Sequence, residues 1–195
     1  MKKRPEVTAI TRQHIMDAFW SLYKEKRIEK ISINEITRIS GNNRTTFYHY
    51  FLDVYDLLEQ FEIELLEELN GELKKQFEEI KVEFSEPIDF RFVFHFITPI
   101  FLKYEEKLFI LLGSHGDPKF SEMLRSRMKE NLVTFTTIPA DTKYIDYIIN
   151  FIYSSMIGML SFWYERNHDI SEKEFIELAP TLIAYGVLGF GQNNS

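Results

Sequence analysis

The chain has 195 residues, of which 45% are hydrophobic and 27% charged, and carries a formal net charge of −7 at pH 7. That length allows one domain, or a small domain joined to a larger one, with ample apolar material for a core. There is no cysteine, which excludes disulfides and thiolate metal sites and allows a reducing cytoplasm without requiring one.

Residues 1–13 are basic with no apolar run behind them, so they do not read as a signal peptide. They read as a mobile basic arm able to touch phosphate or a minor groove. A helix over about 11–26 is predicted by Ile15, Ala18, Phe19 and Leu22 at i, i+3, i+4, i+7 spacing. Lys24, Lys26, Arg27 and Lys30 gather at its end, which suits the helix dipole and a nearby phosphate. Ser32 followed by Glu35 is a capping box, opening a helix with Ile33, Ile36 and Ile39 on one face. Gly41 supplies the left-handed stop. Asn43 is an N-cap for a second short helix over 44–51. In that helix Phe47 and Phe51 face inward with Ile36, while Arg44, Thr45, Tyr48 and His49 face out. Two helices across a glycine-containing turn form a helix-turn-helix over about 32–51, whose second helix enters the DNA major groove.

Asp53 is the next N-cap, with Asp56 in the first turn. Leu57, Leu58, Phe61, Leu65, Leu66, Leu69, Leu73, Phe77 and Ile80 then predict one amphipathic helix over 54–82, about 40 Å long at 1.5 Å per residue. It joins a head to a body. An aromatic segment over 88–104, softly broken by Pro99, comes next, then a helix over 107–112 and a loop over 114–118. Helices over 120–135 and 142–167 follow. Ser171 and Glu174 form a second capping box opening the last helix, which holds Pro180 and ends near Gly189. Residues 147–163 carry no formal charge and approach the lower limit of a membrane span. Asn150, Ser154, Ser155 and Ser161 interrupt that stretch, so it reads as a buried helix and no membrane contact is expected. No period-2 pattern and no internal repeat is present, which makes the chain all-α.

Charge divides along the same line. Residues 1–55 hold 10 Lys and Arg against 6 Asp and Glu, net +4, while the remainder holds 13 against 24, net −11. A basic head on an acidic body suits a DNA reader whose larger part stays off the phosphates.

The first 60 or so residues resemble the N-terminal domain of the TetR family of bacterial transcriptional regulators. The resemblance is carried by Thr11-Arg12-Gln13 with Ile15 and Ala18, by Ile31-Ser32-Ile33-Asn34-Glu35-Ile36, by Gly41, by Thr46-Phe47-Tyr48-His49-Tyr50-Phe51, and by Asp56-Leu57-Leu58. It implies a homodimer with about nine helices per chain and an operator of two-fold symmetry. It also implies a larger C-terminal domain that dimerises and often binds a small effector. The chain departs from the family pattern at Asn42, usually apolar, at the His49-Tyr50 order, and at Val54, often a lysine facing phosphate. The resulting division is a DNA-binding domain over 1–55 and a helical dimerisation and effector-binding domain over 56–195.

Arg44 has the chemistry to read a guanine through two hydrogen bonds, and Thr45 can pack its methyl on thymine. Thr46, Tyr48 and Tyr50 are placed to fix register on phosphates, and His49 can do either. Tyr48 and Tyr50 can instead pack on the first or fourth helix. The dimer is expected through the last two helices, where Ser154, Ser155 and Gly158 allow close approach. Phe162, Trp163, Phe175, Leu182 and Tyr185 would supply apolar area there. An apolar or aromatic effector would lie among Phe90, Phe92, Phe94, Phe96 and Phe101, with His95, Tyr104 and His115 as polar anchors. No cofactor motif, nucleophile motif or metal spacing is present, so an enzyme is not expected. The expected function is a homodimeric cytoplasmic repressor released from a palindromic operator by a small molecule. The alternative is a regulator or coactivator working through protein partners without its own ligand.

Overall fold

The computed structural model describes residues 5–80, 90–113, 116–135 and 141–193, and among them every regular element is helical. In order these are α1 (Pro5–Tyr23), a 3-10 turn (Ile28–Lys30), α2 (Ile33–Ile39), α3 (Arg44–Tyr50), α4 (Val54–Ile80) and α5 (Phe90–Lys103). Then come α6 (Glu105–Leu112), α7 (Pro118–Phe135), α8 (Ile145–Glu165) and α9 (Glu172–Asn193). The all-α class with about nine helices is therefore what the described residues hold. The chain forms two compact units, Met1–Leu65 and Leu66–Ser195, with the boundary inside α4.

Within the first unit α1 begins at Pro5, earlier than the apolar spacing predicts, and ends at Tyr23. Proline sits comfortably in a helix's first turn, and nothing between Pro5 and Thr11 stops the helix. Residues 5–13 of the expected arm are thus helical, and residues 1–4 lie outside the described residues. The core is small and aromatic: Ile15, Phe19, Ile36, Phe47 and Leu57 are fully buried. Trp20 stacks on Phe61 with ring centroids 4.9 Å apart, fastening α1 to the start of α4.

The capping box at α2 forms as its spacing predicts, with Ser32 and Glu35 bonding reciprocally. The three isoleucines do not share one buried face: Ile36 is buried but Ile39 is 47% exposed. Successive i+3 steps fall short of a full turn, so the third isoleucine rotates out. Thr37 is buried in its place, its hydroxyl donating to the Ile33 carbonyl at 2.8 Å. Gly41 has φ +68°, the left-handed stop. Asn43 caps α3 through its side-chain oxygen, which accepts from the Thr46 N–H at 2.8 Å. Asn43→Ala is expected to lower stability by about 1 kcal/mol while Asn43→Asp retains most of it, as read by denaturant titration.

In the second unit α5 packs on α9, α6 on α7 and α8, α7 on α8, and α8 on α9. α8 is long and apolar enough to cross a membrane by length and composition alone. It behaves as a core helix, burying Ile145, Ile149, Ile152, Tyr153, Met156, Leu160 and Trp163 against its neighbours. The turn after it uses two non-glycine residues with positive φ, Asn167 at 52° and His168 at 57°. The Trp163 indole N–H donates to the Ile170 carbonyl at 2.8 Å across the turn, and His168 contacts Glu105 at the start of α6 at 3.2 Å. The Ser171–Glu174 box then opens α9. Pro180 lies within α9, but the residue that leaves helical dihedrals is Gly186, at φ 66° and ψ −178°.

Candidate nucleic-acid interface

α3 is seven residues long, and its two faces separate by chemistry. Phe47 is fully buried, and Phe51, which ends the helix, is 1% exposed with its ring 5.6 Å from that of Phe47. The other face carries Arg44, Thr45, Tyr48 and His49, all exposed. These four form two i, i+4 pairs and therefore lie side by side on one surface. Arg44 leans on Tyr48, with its guanidinium donating to the Tyr48 hydroxyl at 3.3 Å and lying 5.9 Å from the ring centroid. Its remaining N–H groups point to no protein acceptor among the described residues, which leaves enough donors for a bidentate contact. The Tyr48 ring is braced edge-on by Phe47 at 5.7 Å.

Thr46 and Tyr50 stand apart from those four, being half-buried. The Thr46 hydroxyl donates to Asn43 Oδ1 at 3.1 Å, so its proton is used in the cap. The Tyr50 hydroxyl is buried with no hydrogen-bond partner, and its ring meets His49 edge-on at 4.9 Å.

Two of the three departures from the family pattern, Asn42 and Val54, have a local physical account. Asn42 occupies an ordinarily apolar position by donating its side-chain amide to the Ser40 carbonyl at 2.9 Å. Val54 is 8% exposed and belongs to the core. The first turn of α4 is closed by carboxylates: Asp53 accepts from the N–H groups of Tyr55 and Asp56 at 2.8 and 2.9 Å, and Asp56 accepts from that of Leu52 at 2.7 Å. Two acidic side chains on those N–H groups repel phosphate, so this helix start is not an anion site here.

Among the basic residues after α1, Lys26 is committed to Glu35 at 2.6 Å. Arg27, Lys30 and Arg38 are exposed. The Lys26 hydrogen bond, followed by those from the Ser32 side chain and backbone, lowers the Glu35 pKa from 4.5 to about 2. A carboxyl whose folded value is depressed stabilises above its unfolded value and loses that contribution as pH falls through the folded one. The Glu35 contribution is accordingly complete above pH 4.5 and lost towards pH 2. An NMR titration is expected to place the Glu35 midpoint near 2, and Lys26→Met is expected to raise it.

The other expected sites are resolved unevenly. On α8 the exposed residues Tyr147, Phe151, Ser154, Gly158 and Phe162 recur at steps of four, three, four and four, forming one outward stripe. Tyr185 of α9 is also exposed. Trp163 and Phe175 were expected at a dimer face but are buried in the subunit, stacked on each other at 4.7 Å. Of the expected effector residues, Phe101 is buried, His95 is exposed, and Tyr104 donates its hydroxyl to Glu72 at 2.8 Å. Burial, then that bond, pushes the Tyr104 phenol up. The side chains of Phe90, Phe92, Phe94 and Phe96, and His115, lie outside the described residues. An open groove of about 490 Å³ lies between α7 and α8, crossed by a Lys129–Asp146 ion pair at 2.6 Å. Among the described residues no three His, Asp or Glu side chains cluster as a metal site.

A family model for the TetR_C_8 transcriptional regulator C-terminal region matches residues 93–185. Two solved structures show the same fold along the chain. A TetR transcriptional regulator from Streptococcus agalactiae 2603V is 20% identical with a TM-score of 0.62, covering 92% of this chain and 96% of its own. The fatty acid degradation regulator FadR from Bacillus halodurans is 14% identical with a TM-score of 0.61, covering 96% and 98%. No curated protein matches the chain by sequence.

Proposed function

We propose that this chain is a TetR-family transcriptional regulator, a homodimeric cytoplasmic repressor released from a palindromic operator by a small-molecule effector; the C-terminal match over residues 93–185 supports the reading. The division of labour is a DNA-binding domain over 1–55 and a dimerisation and effector domain over 56–195. Arg44, Thr45, Tyr48 and His49 touch the operator directly, Arg44 reading a base and Tyr48 holding a phosphate, while Thr46, its proton used in the cap, and Tyr50, its hydroxyl buried, support the helix from behind. The observation that carries this reading is the clean division of α3, whose apolar side chains are buried while its donors are exposed together.

Dimerisation runs through α8 and α9. The outward stripe on α8 supports it, because large apolar side chains at 56% and 61% exposure flank a glycine and serines that let a second helix approach. The two heads of such a dimer meet half-sites about 34 Å apart. An apolar or aromatic effector releases the operator only if it binds the DNA-incompetent arrangement more tightly than the competent one.

Selection of bound sequences from a random DNA pool tests the reading. A two-fold symmetric consensus is the expected result. Selection of nothing, together with capture of a protein partner by the acidic body, would replace it with the coactivator alternative.

A further inference from the structure

We propose that Arg12 is a positioning residue for α3, locking the end of that helix onto the first turns of α4. The inference rests on α3 being the DNA-reading helix. Arg12 belongs to α1, yet its guanidinium serves other elements. One terminal nitrogen pairs with the Glu64 carboxylate. The other donates to Gln60 Oε1 at 2.8 Å, and the guanidinium carbon lies 5.3 Å from the Phe51 ring centroid. Gln60 passes the grip on: its amide donates to both Asp56 carboxylate oxygens at 3.1 Å and reaches the Tyr50 carbonyl at 3.5 Å. Asp56 in turn accepts from the Leu52 N–H at 2.7 Å.

The chain leaving α3 is therefore held at three consecutive residues, by the carbonyl of 50, the ring of 51 and the N–H of 52. Each contact leads back to the Arg12–Gln60 pair. Apolar burial of Phe47 and Phe51 sets how deeply α3 sits, but that force has no direction. Hydrogen bonds do, and charge-assisted ones more strongly. The Arg12 side chain is only 25% exposed, which shields the network from part of the solvent competition. A planar fork is needed to meet Glu64, Gln60 and the Phe51 face at once, which a lysine ammonium does not provide.

The test uses the full-length chain with Arg12→Met, and with Gln60→Leu as a second variant that leaves the Arg12–Glu64 pair intact. Backbone amide hydrogen exchange and affinity for the pool-selected operator are measured well below the melting temperature. Exchange at Phe51 and Leu52 is expected to be about tenfold faster with the Ile36 amide of α2 unchanged, and operator affinity about tenfold lower. A general loss of stability would speed the α2 amide as well. Wild-type exchange at 51 and 52 in the folded variants, or wild-type operator affinity, overturns the proposal. If Arg12→Met does not fold, Gln60→Leu decides. If the wild-type chain selects no DNA, the DNA-reading assignment fails, while the exchange rates still decide whether Arg12 holds α3.

Discussion

Arg44→Ala is expected to abolish selectivity among operator variants while the chain stays folded and dimeric. Arg44 is exposed at the first position of α3, and among the described residues its one hydrogen bond through the side chain is the 3.3 Å bond to the neighbouring Tyr48 hydroxyl. Losing an exposed side chain of this kind changes stability by about 0.5 kcal/mol or less. Losing a bidentate contact to guanine removes about 1–3 kcal/mol of discrimination, roughly 5- to 150-fold, at each half-site. The measurement is a set of binding curves on the selected operator and its single-base variants at one salt concentration, since phosphate affinity moves steeply with salt. Tyr48→Phe provides the contrast: it deletes a phosphate donor and is expected to weaken all variants alike. An unchanged ranking of variants in Arg44→Ala would reject the base-reading role.

The second large effect is expected at α8. A Cβ built on Gly158 meets nothing within 4 Å in its own subunit, so Gly158→Gln leaves the subunit's packing intact. It also removes a helix-interior glycine, a gain of up to about 1 kcal/mol. Across the two-fold axis of the proposed dimer the same side chain would hold the partner helix away, and Phe162→Glu places a charge where a 61% exposed aromatic ring would be buried. The double variant is expected to sediment as a monomer at micromolar concentration with a melting temperature set by the subunit alone. Because two heads on the proposed dimer would bind adjacent half-sites as a linked pair, operator affinity is expected to fall about 10²–10⁴-fold. A double variant that remains dimeric would place the interface elsewhere.

Most of the local structure was legible in the sequence because it depends on neighbours three or four residues away. The Ser32–Glu35 and Ser171–Glu174 boxes, the Asn43 cap, the Gly41 stop and the inward Phe47–Phe51 pair all satisfy backbone groups or bury rings within one turn of helix. Helix starts without a strong cap were less legible. α1 runs back to Pro5 because nothing in between opposes it. α9 keeps Pro180 inside and breaks at Gly186, whose positive φ no periodicity announces. At the candidate interface, residue types and spacing proposed six side chains. Their exposure divides them: Thr46 spends its proton on Asn43, and Tyr50 turns its hydroxyl inward.

The sequence by itself determined the all-helical class, the helix-turn-helix and the chemistry offered by α3, since each follows from short-range spacing and side-chain type. Only the tertiary structure decided which apolar residues are core and which are surface. Trp163 and Phe162 are adjacent in sequence and equally aromatic, yet one is 6% and the other 61% exposed. It also decided that Val54 is packed in the core, and that Arg12 reaches from α1 to Glu64, Gln60 and Phe51. The physical reason is separation along the chain. Arg12 and Gln60 are 48 residues apart, and no local pattern encodes a partner that only folding brings into reach.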